Sequence, residues 1–307
     1  MFYTGFSDEA GDSIDEQIDA TLALGWHFIE SRSVNKQNIT DIPDLEFDFL
    51  INSLQKHGIK INCFGSAIAN WSTHPRSELD FENSLNALKR AIPRMQKAGT
   101  RFIRGMSFGI ARDEKPDSME LEKIIFRKVK NLVDLCADSG IIYLHENCMN
   151  YGGLSYHHTL RLLDAVKSPN LRLVFDTGNP VGSDYHVGSP PFQKQNSWEF
   201  YQNVREFIDY VHIKDCVFIA ETGSVFPDLR YTFAGEGDGH VQQVVTDLLK
   251  NGYDGGFSIE PHLSIVHHQR ANDTLHNNQF NNYVSYGQKF MEMVNQILLE
   301  NDFSSHS

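Results

Sequence analysis

The 307-residue chain contains no run of about 18 consecutive apolar residues, so no helix of membrane-spanning length is expected. Positive charge is scarce. The 27 Lys and Arg face 40 Asp and Glu, and a formal net charge of −13 repels a polyphosphate backbone, which argues against nucleic acid as a partner. Only four cysteines occur (Cys63, Cys136, Cys148, Cys216), widely scattered and with no CxxC. That pattern argues against a zinc or disulfide framework and favours buried thiols in a reducing cytoplasm. The opening MFYTGFSDEA has no basic n-region and enters a strand at once, so a cytoplasmic protein is expected rather than an exported one. No GxGxxG follows the first strand, and Gly235-Glu236-Gly237 lacks the strand-to-helix context of a dinucleotide site. Beyond a C-terminal tail at residues 303–307, no low-complexity segment stands out.

Short apolar runs that stop on a metal-ligand type of side chain are present. Leu171–Pro180 (LRLVFDTGNP) is a buried-strand pattern ending in Asp176 and a turn. Ile141–Asn147 closes on Glu146, Tyr210–Asp215 carries His212, and Phe257–His262 closes on Glu260. Strand residues alternate faces, so one face collects Leu144 and Glu146, Val174 and Asp176, Tyr210, His212 and Lys214, and Ser258, Glu260 and His262. The opposite parity of His145 turns it toward the helices.

Amphipathic stretches end in Gly before the next apolar run at Gly25, Gly58, Gly99, Gly140 and Gly252, where the left-handed C′ conformation favours glycine. The first four are 33, 41 and 41 residues apart, about one strand plus one helix each. Strands are expected at Phe2–Phe6, His27–Ser31, Lys60–Phe64 and Arg101–Met106 ahead of the four ligand-bearing runs. A capping box from Ser13 to Glu16 opens the first helix, with Ile14, Ile18 and Leu22 as its apolar face. Later helices are expected at Leu45–His57, around Leu85–Met95 with Pro93 as a kink, and around Ile125–Cys136. The last four fall near Leu154–Val166, Ser197–Phe207, Val241–Leu249 and Asn282–Leu299. Eight alternations without a second compositional domain predict an α/β fold, a single (β/α)8 TIM barrel over residues 1–302. Long connections at Val181–Asn196, Val217–His240 and Leu263–Asn281 all follow strands, which puts extended βα loops and the working face over the C-terminal strand ends.

Glu146, Asp176, His212 and Glu260 are separated by 30, 36 and 48 residues, so each comes from a different βα unit. Three carboxylates and one imidazole suit one divalent ion, Mn²⁺ or Mg²⁺ first, then Co²⁺; Zn²⁺ is less suited without thiolates. Lys214 is placed to offset the residual negative charge.

The endings HEN, DTGN, HIKD and IEPH, with GEG after the seventh strand, resemble the xylose-isomerase-like TIM-barrel superfamily, specifically its sugar phosphate isomerase/epimerase branch. The resemblance implies that Glu146, Asp176, His212 and Glu260 hold the metal. It also implies that Glu146 and Glu260 act as an acid/base pair on a small keto-sugar or related polyol, through a metal-stabilised enediolate. It further implies a homo-oligomer, dimer or tetramer. Sugar contacts are expected from Lys214, Asn179, Asn147, Arg104, Glu30 and His262, with Trp71, Trp198 and Phe218 as stacking candidates. Asp8 and Glu9 fall at the first strand's rim, while His157-His158 and His267-His268 read as surface pairs. Where epimerases of this type carry His three residues after the strand-6 Asp, this chain has Asn179, which cannot act as an acid near neutral pH. A metal-dependent lyase or dehydratase on a keto-sugar or inosose is therefore the alternative, and a sugar-binding barrel without catalysis the third reading. An apurinic-endonuclease role is disfavoured, because the ends of strands 2 to 4 lack the histidines of a multi-zinc cluster.

Overall fold

The computed structural model describes residues 1–111, 114–115, 117–223, 226–263 and 276–301. Its strands are β1 (Phe2–Gly5), β2 (Phe28–Ser31), β3 (Ser33–Val34), β4 (Gln37–Asn38), β5 (Lys60–Ile68), β6 (Phe102–Gly105), β7 (Ile142–Glu146), β8 (Leu171–Asp176), β9 (Ile208–Ile213), β10 (Asp215–Ala220), β11 (Asp228–Thr232) and β12 (Gly256–Ile259). The helices are α1 (Ile14–Ala23), α2 (Asp44–Lys56), α3 (Glu78–Ala98), α4 (Met119–Asp138), α5 (Tyr156–Val166), α6 (Asn179–Gly182), α7 (Ser197–Val204), α8 (Val241–Lys250) and α9 (His276–Asn301). Eight strands form one parallel sheet in the order β1-β12-β9-β8-β7-β6-β5-β2. A parallel bridge between Phe6 and Glu30 joins its two end strands and closes the TIM barrel.

Alternation along the strands separates two cores. Leu144, Val174 and Tyr210 point inward with Cys63 and form the barrel floor directly below Glu146, Asp176 and His212. Their outward neighbours Phe175, Val211, Ile213, Phe257 and Ile259 pack beneath α7, α8 and α9. A register shift between Leu173 and Val174 sets Asp176 opposite His212, and β12 sets Ser258 on the other side of His212. The five turn glycines all have φ between 69° and 75°, as the helix-end reading requires.

Several expectations are corrected. Leu22 is exposed, because α1 buries Ile14, Gln17, Ile18 and Thr21 instead. α3 does carry Pro93 in its interior, as expected. α5 starts at Tyr156, since Ser155 accepts from the His158 amide as N-cap and Leu154 belongs to the preceding 3-10 turn. His158 is fully buried, edge-on to Tyr151, rather than on the surface. The connection after β9 is an antiparallel hairpin, β10 against β11, not an irregular loop. His267, His268 and the tail at 303–307 lie outside the described residues.

Candidate metal centre

The four expected ligands come together. Donor atoms of Glu146, Asp176, His212 and Glu260 lie within 4.8 Å of one another, and all four residues are buried. They rise from β7, β8, β9 and the end of β12, four consecutive staves, so Glu146 and Glu260 stand at the two ends of the arc.

His212 is the most telling member. Its Nε2 lies 3.0 Å from Glu30 Oε2, which also accepts from Ser258 Oγ at 2.7 Å. A carboxylate only accepts, so Nε2 donates to Glu30, and Nδ1 is the nitrogen left to offer a lone pair to an ion once its own proton is lost. That Nδ1 is buried, makes no hydrogen bond, and faces Glu146 Oε1 at 3.4 Å and Asp176 Oδ2 at 4.0 Å. An unsatisfied imidazole nitrogen among carboxylates is costly in an apolar interior and fits a cation ligand. The residues present therefore fit a divalent ion.

Asp176 is set by its turn: Gly178 and Asn179 donate backbone N–H bonds to Oδ1 at 2.9 and 2.7 Å, leaving Oδ2 toward the cluster. Lys214 Nζ bridges Asp176 Oδ2 and Glu260 Oε2, each at 3.0 Å. Arg104 donates to Glu146 Oε2 at 3.2 Å while two of its other nitrogens donate to the Ser66 carbonyl. Asn179 donates to Glu146 Oε1 at 3.2 Å and is the most open of these groups.

Charge follows from these contacts. Burial alone would raise the Glu146 pKa, but Arg104 and His212 override it and bring it down to about 2. Glu260, although buried, is held well below the usual carboxylate range by Lys214, His262 and Arg32. Burial pushes Asp176 up to about 6, with Lys214 opposing and the Glu260 and Glu146 charges adding to it. For His212, burial lowers the pKa, yet the Glu30 and Glu146 carboxylates raise it to about 10. An ion bound near neutral pH thus displaces the His212 proton. Calorimetric titration of the ion-free protein with Mn²⁺ at pH 7, in buffers of different ionisation enthalpy, should show close to one proton released per ion. The apparent affinity should rise about tenfold per pH unit and level off near pH 10. Binding that is flat between pH 6 and 9 would contradict this arrangement.

Two expected sugar contacts have other work. Glu30 is fully buried behind His212, where it orients the ring. Asn147 is occupied at both amide ends by the Asp176 backbone, accepting at 2.7 Å and donating at 2.9 Å. Replacing Glu30 by Gln should weaken Mn²⁺ binding about 10- to 100-fold with little change in far-UV dichroism; unchanged affinity would remove Glu30 from the centre.

One participant had no strong signal in sequence. Arg32 donates to Asp8 Oδ2 at 2.9 Å and Glu260 Oε1 at 2.9 Å, with Glu9 Oε1 at 3.4 Å. Its guanidinium lies 4.2 Å from the Phe6 ring centroid, and Arg104 lies 5.0 Å from the same centroid. Glu9 clamps His262, receiving its backbone N–H at 2.8 Å and meeting Nδ1 at 2.8 Å, which leaves Nε2 3.6 Å from Glu260 Oε1. Glu9, Glu260 and His262 form a second cluster of ligand-type groups, with Arg32 as its cation. Of the stacking candidates, Trp198 lies on α7 against Tyr201, in the outer helix layer. Phe218 lies under Lys194.

The expected GEG segment has a structural task. Gly235, Gly237 and Gly239 donate N–H bonds to the Asp215 carboxylate at 2.8, 3.0 and 2.8 Å, and Cys216 adds one at 3.0 Å. An ideal Cβ at Gly237 would sit 2.4 Å from Asp215 Oδ1, so this cradle requires glycine. It is an anion nest filled by the protein's own aspartate.

No curated protein matches the sequence. Among solved structures, the chain is similar to D-allulose 3-epimerase from Methylomonas sp. in complex with D-allulose (17% identity, 95% of this chain and 96% of that one, TM-score 0.64). It is also similar to the probable 3-DHS dehydratase AsbF of Bacillus anthracis (16% identity, 95% and 99% covered, TM-score 0.65). A third similar structure is a xylose isomerase-like TIM barrel protein from Mycobacterium smegmatis in complex with magnesium (16% identity, 95% and 97% covered, TM-score 0.66). At these identities the likeness is one of fold. The sequence profile of the xylose isomerase-like TIM barrel family matches residues 18–279, most of the barrel, and the chain belongs to that family.

Proposed function

We propose that this protein is a divalent-metal-dependent isomerase or epimerase of a small keto-sugar or related polyol. The observation that carries the reading is the unsatisfied His212 Nδ1 facing three carboxylates, with the two glutamates at opposite ends of the arc. The ion, Mn²⁺ or Mg²⁺ by the hardness of the donors, supplies Lewis-acid withdrawal of charge from a carbonyl and its neighbouring hydroxyl. Glu146 and Glu260 flank that position, and each is held ionised by cations. One carboxylate takes the proton beside the carbonyl, and the other returns one from the far side, which inverts a centre; return by the same group to the adjacent carbon moves the carbonyl. Arg104 and Asn179 hold Glu146, and Arg32 and Lys214 hold Glu260, so neither base is free to swing away from the reacting carbon.

A second reading, loss of a β-hydroxyl in a lyase or dehydratase, is favoured by one feature. Lys214 Nζ adjoins Glu260, with His262 Nε2 on the same carboxylate, giving that end of the arc an ammonium proton a departing hydroxyl could use. The similarity in fold to a probable dehydratase is consistent with it. A panel of ketoses and keto-polyols, incubated with the manganese-loaded protein in deuterium oxide and followed by NMR, separates the two. Epimerisation or isomerisation gives a product of unchanged composition bearing deuterium at the reacting carbon. Dehydration gives a product lighter by water. No deuterium incorporation and no product across the panel would overturn both.

A further inference from the structure

The hairpin formed by β10 and β11 leaves the barrel immediately after Lys214 and touches three other βα loops. At its base the Asp215 nest ties it to residues 235–239. Along one side, Pro227 and Leu229 lie against α6: an ideal Cβ at Gly182 would stand 3.1 Å from each. On the other side, the Tyr231 ring meets the His262 ring edge-on at 5.0 Å, above the Glu260 end of the arc. Beyond β10, Phe226 meets Trp71 edge-on with centroids 5.3 Å apart.

The last contact decides the geometry. Around the closed barrel, β5 is the third strand and β9 the seventh, so they are diametrically opposed. Trp71 follows β5, and Phe226 belongs to the hairpin that follows β9. A contact between loops of opposite staves must pass over the barrel mouth, and the ligand cluster lies at that mouth. The Trp71 loop is a fixed landing place, because Phe108 and Gly109 donate backbone bonds to the carbonyls of Ala69 and Thr73 at 2.7 and 2.9 Å. Trp71 itself keeps 37% of its surface exposed.

We propose that this hairpin is a roof over the metal centre, that the Trp71–Phe226 contact is its latch, and that closure restricts the site to a single small sugar. Trp71 and Phe226 are then specificity-determining residues. On this proposal a ketohexose binds beneath the closed latch, whereas a disaccharide ending in the same ketose would have to break it. The size limit rests on the keto-sugar reading above; the latch does not.

Two measurements on the full-length protein test this. Hydrogen–deuterium exchange of Phe226→Ala and Trp71→Ala should speed exchange of the hairpin amides at residues 217–220 and 229–231 by at least about tenfold, with the barrel strands unaltered. Trp71→Phe, which keeps an aromatic partner, should restore most of the protection. Unchanged hairpin exchange in both alanine variants would overturn the latch. Ligand-observed NMR then compares binding of a free ketohexose and of a disaccharide carrying it, with the metal-loaded protein. The wild type should bind the ketohexose alone, and Phe226→Ala should improve disaccharide affinity at least about tenfold. Equal binding of both sugars by the wild type would overturn the size limit. If neither sugar binds any of the proteins, the keto-sugar reading and the size limit fall together, while the exchange result still decides the latch.

Discussion

Replacing Glu260 by Gln should lower turnover by about 10³-fold or more while leaving a folded barrel. The carboxylate has two tasks that an amide cannot perform. It takes or returns a substrate proton, a contribution of about 10²–10⁴ in rate. It is also one of four buried groups whose donor atoms lie close enough together to hold an ion. The amide still fits among Arg32, Lys214 and His262, and Asp8, Glu9 and Asp176 remain as counter-charges for the first two, so the cluster keeps partners. Glu260→Asp separates the tasks: the charge is retained, but a shortened side chain no longer reaches the reacting carbon. Metal content by mass spectrometry and rate by deuterium wash-in should show the Asp variant loaded but slow, and the Gln variant slow and poorly loaded. A Gln variant within tenfold of wild-type turnover would contradict the assignment.

The largest expected loss of stability lies away from the chemistry, at Asp215→Ala. Four backbone N–H groups, from Cys216, Gly235, Gly237 and Gly239, converge on this one carboxylate. Bonds to a charged acceptor are the stronger kind, and the buried Cys216 and Gly239 donors would be left unsatisfied, while Gly235 and Gly237 are open enough to turn to water. A destabilisation of about 3–5 kcal/mol is expected. For a chain of this length that corresponds to a fall in Tm of roughly 5–8 °C. Differential scanning calorimetry decides it, and a fall under about 2 °C would mean the nest is replaceable by water. Because the nest also anchors β10, exchange of the hairpin should quicken in this variant before the barrel unfolds.

The barrel and the four-residue cluster at its mouth were legible in the sequence because both obey short-range rules. Parity on a strand carries Leu144 with Glu146 and Val174 with Asp176, and a buried parallel strand is a dense apolar run that ends where the ligand stands. The glycine ends of helices depend only on the local need for positive φ. What escaped depends on pairings across the barrel. Glu30 reads as a rim carboxylate until barrel closure brings it to His212, 182 residues away. Arg32, just past β2, meets Glu260 only because barrel closure sets β2 beside β1, which is itself the neighbour of β12. The hairpin did leave a local trace: two β-prone runs, 216–220 and 229–233, stand either side of a Thr-Gly turn. Leu22 misled for a different reason: helical spacing from Ile18 was right, but the buried face of the helix carries Gln17 and Thr21, with Gln17 bonded to Ser7 and the Ser33 carbonyl.

Every step of the proposed chemistry depends on one ion being held by Glu146, Asp176, His212 and Glu260. A crystal of the protein soaked in Mn²⁺ and measured for anomalous scattering locates that ion directly. The peak is predicted about 2 Å from His212 Nδ1, with an oxygen of each of the three carboxylates at similar range and Glu30 still on Nε2. A peak elsewhere, or none at saturating manganese, would contradict it.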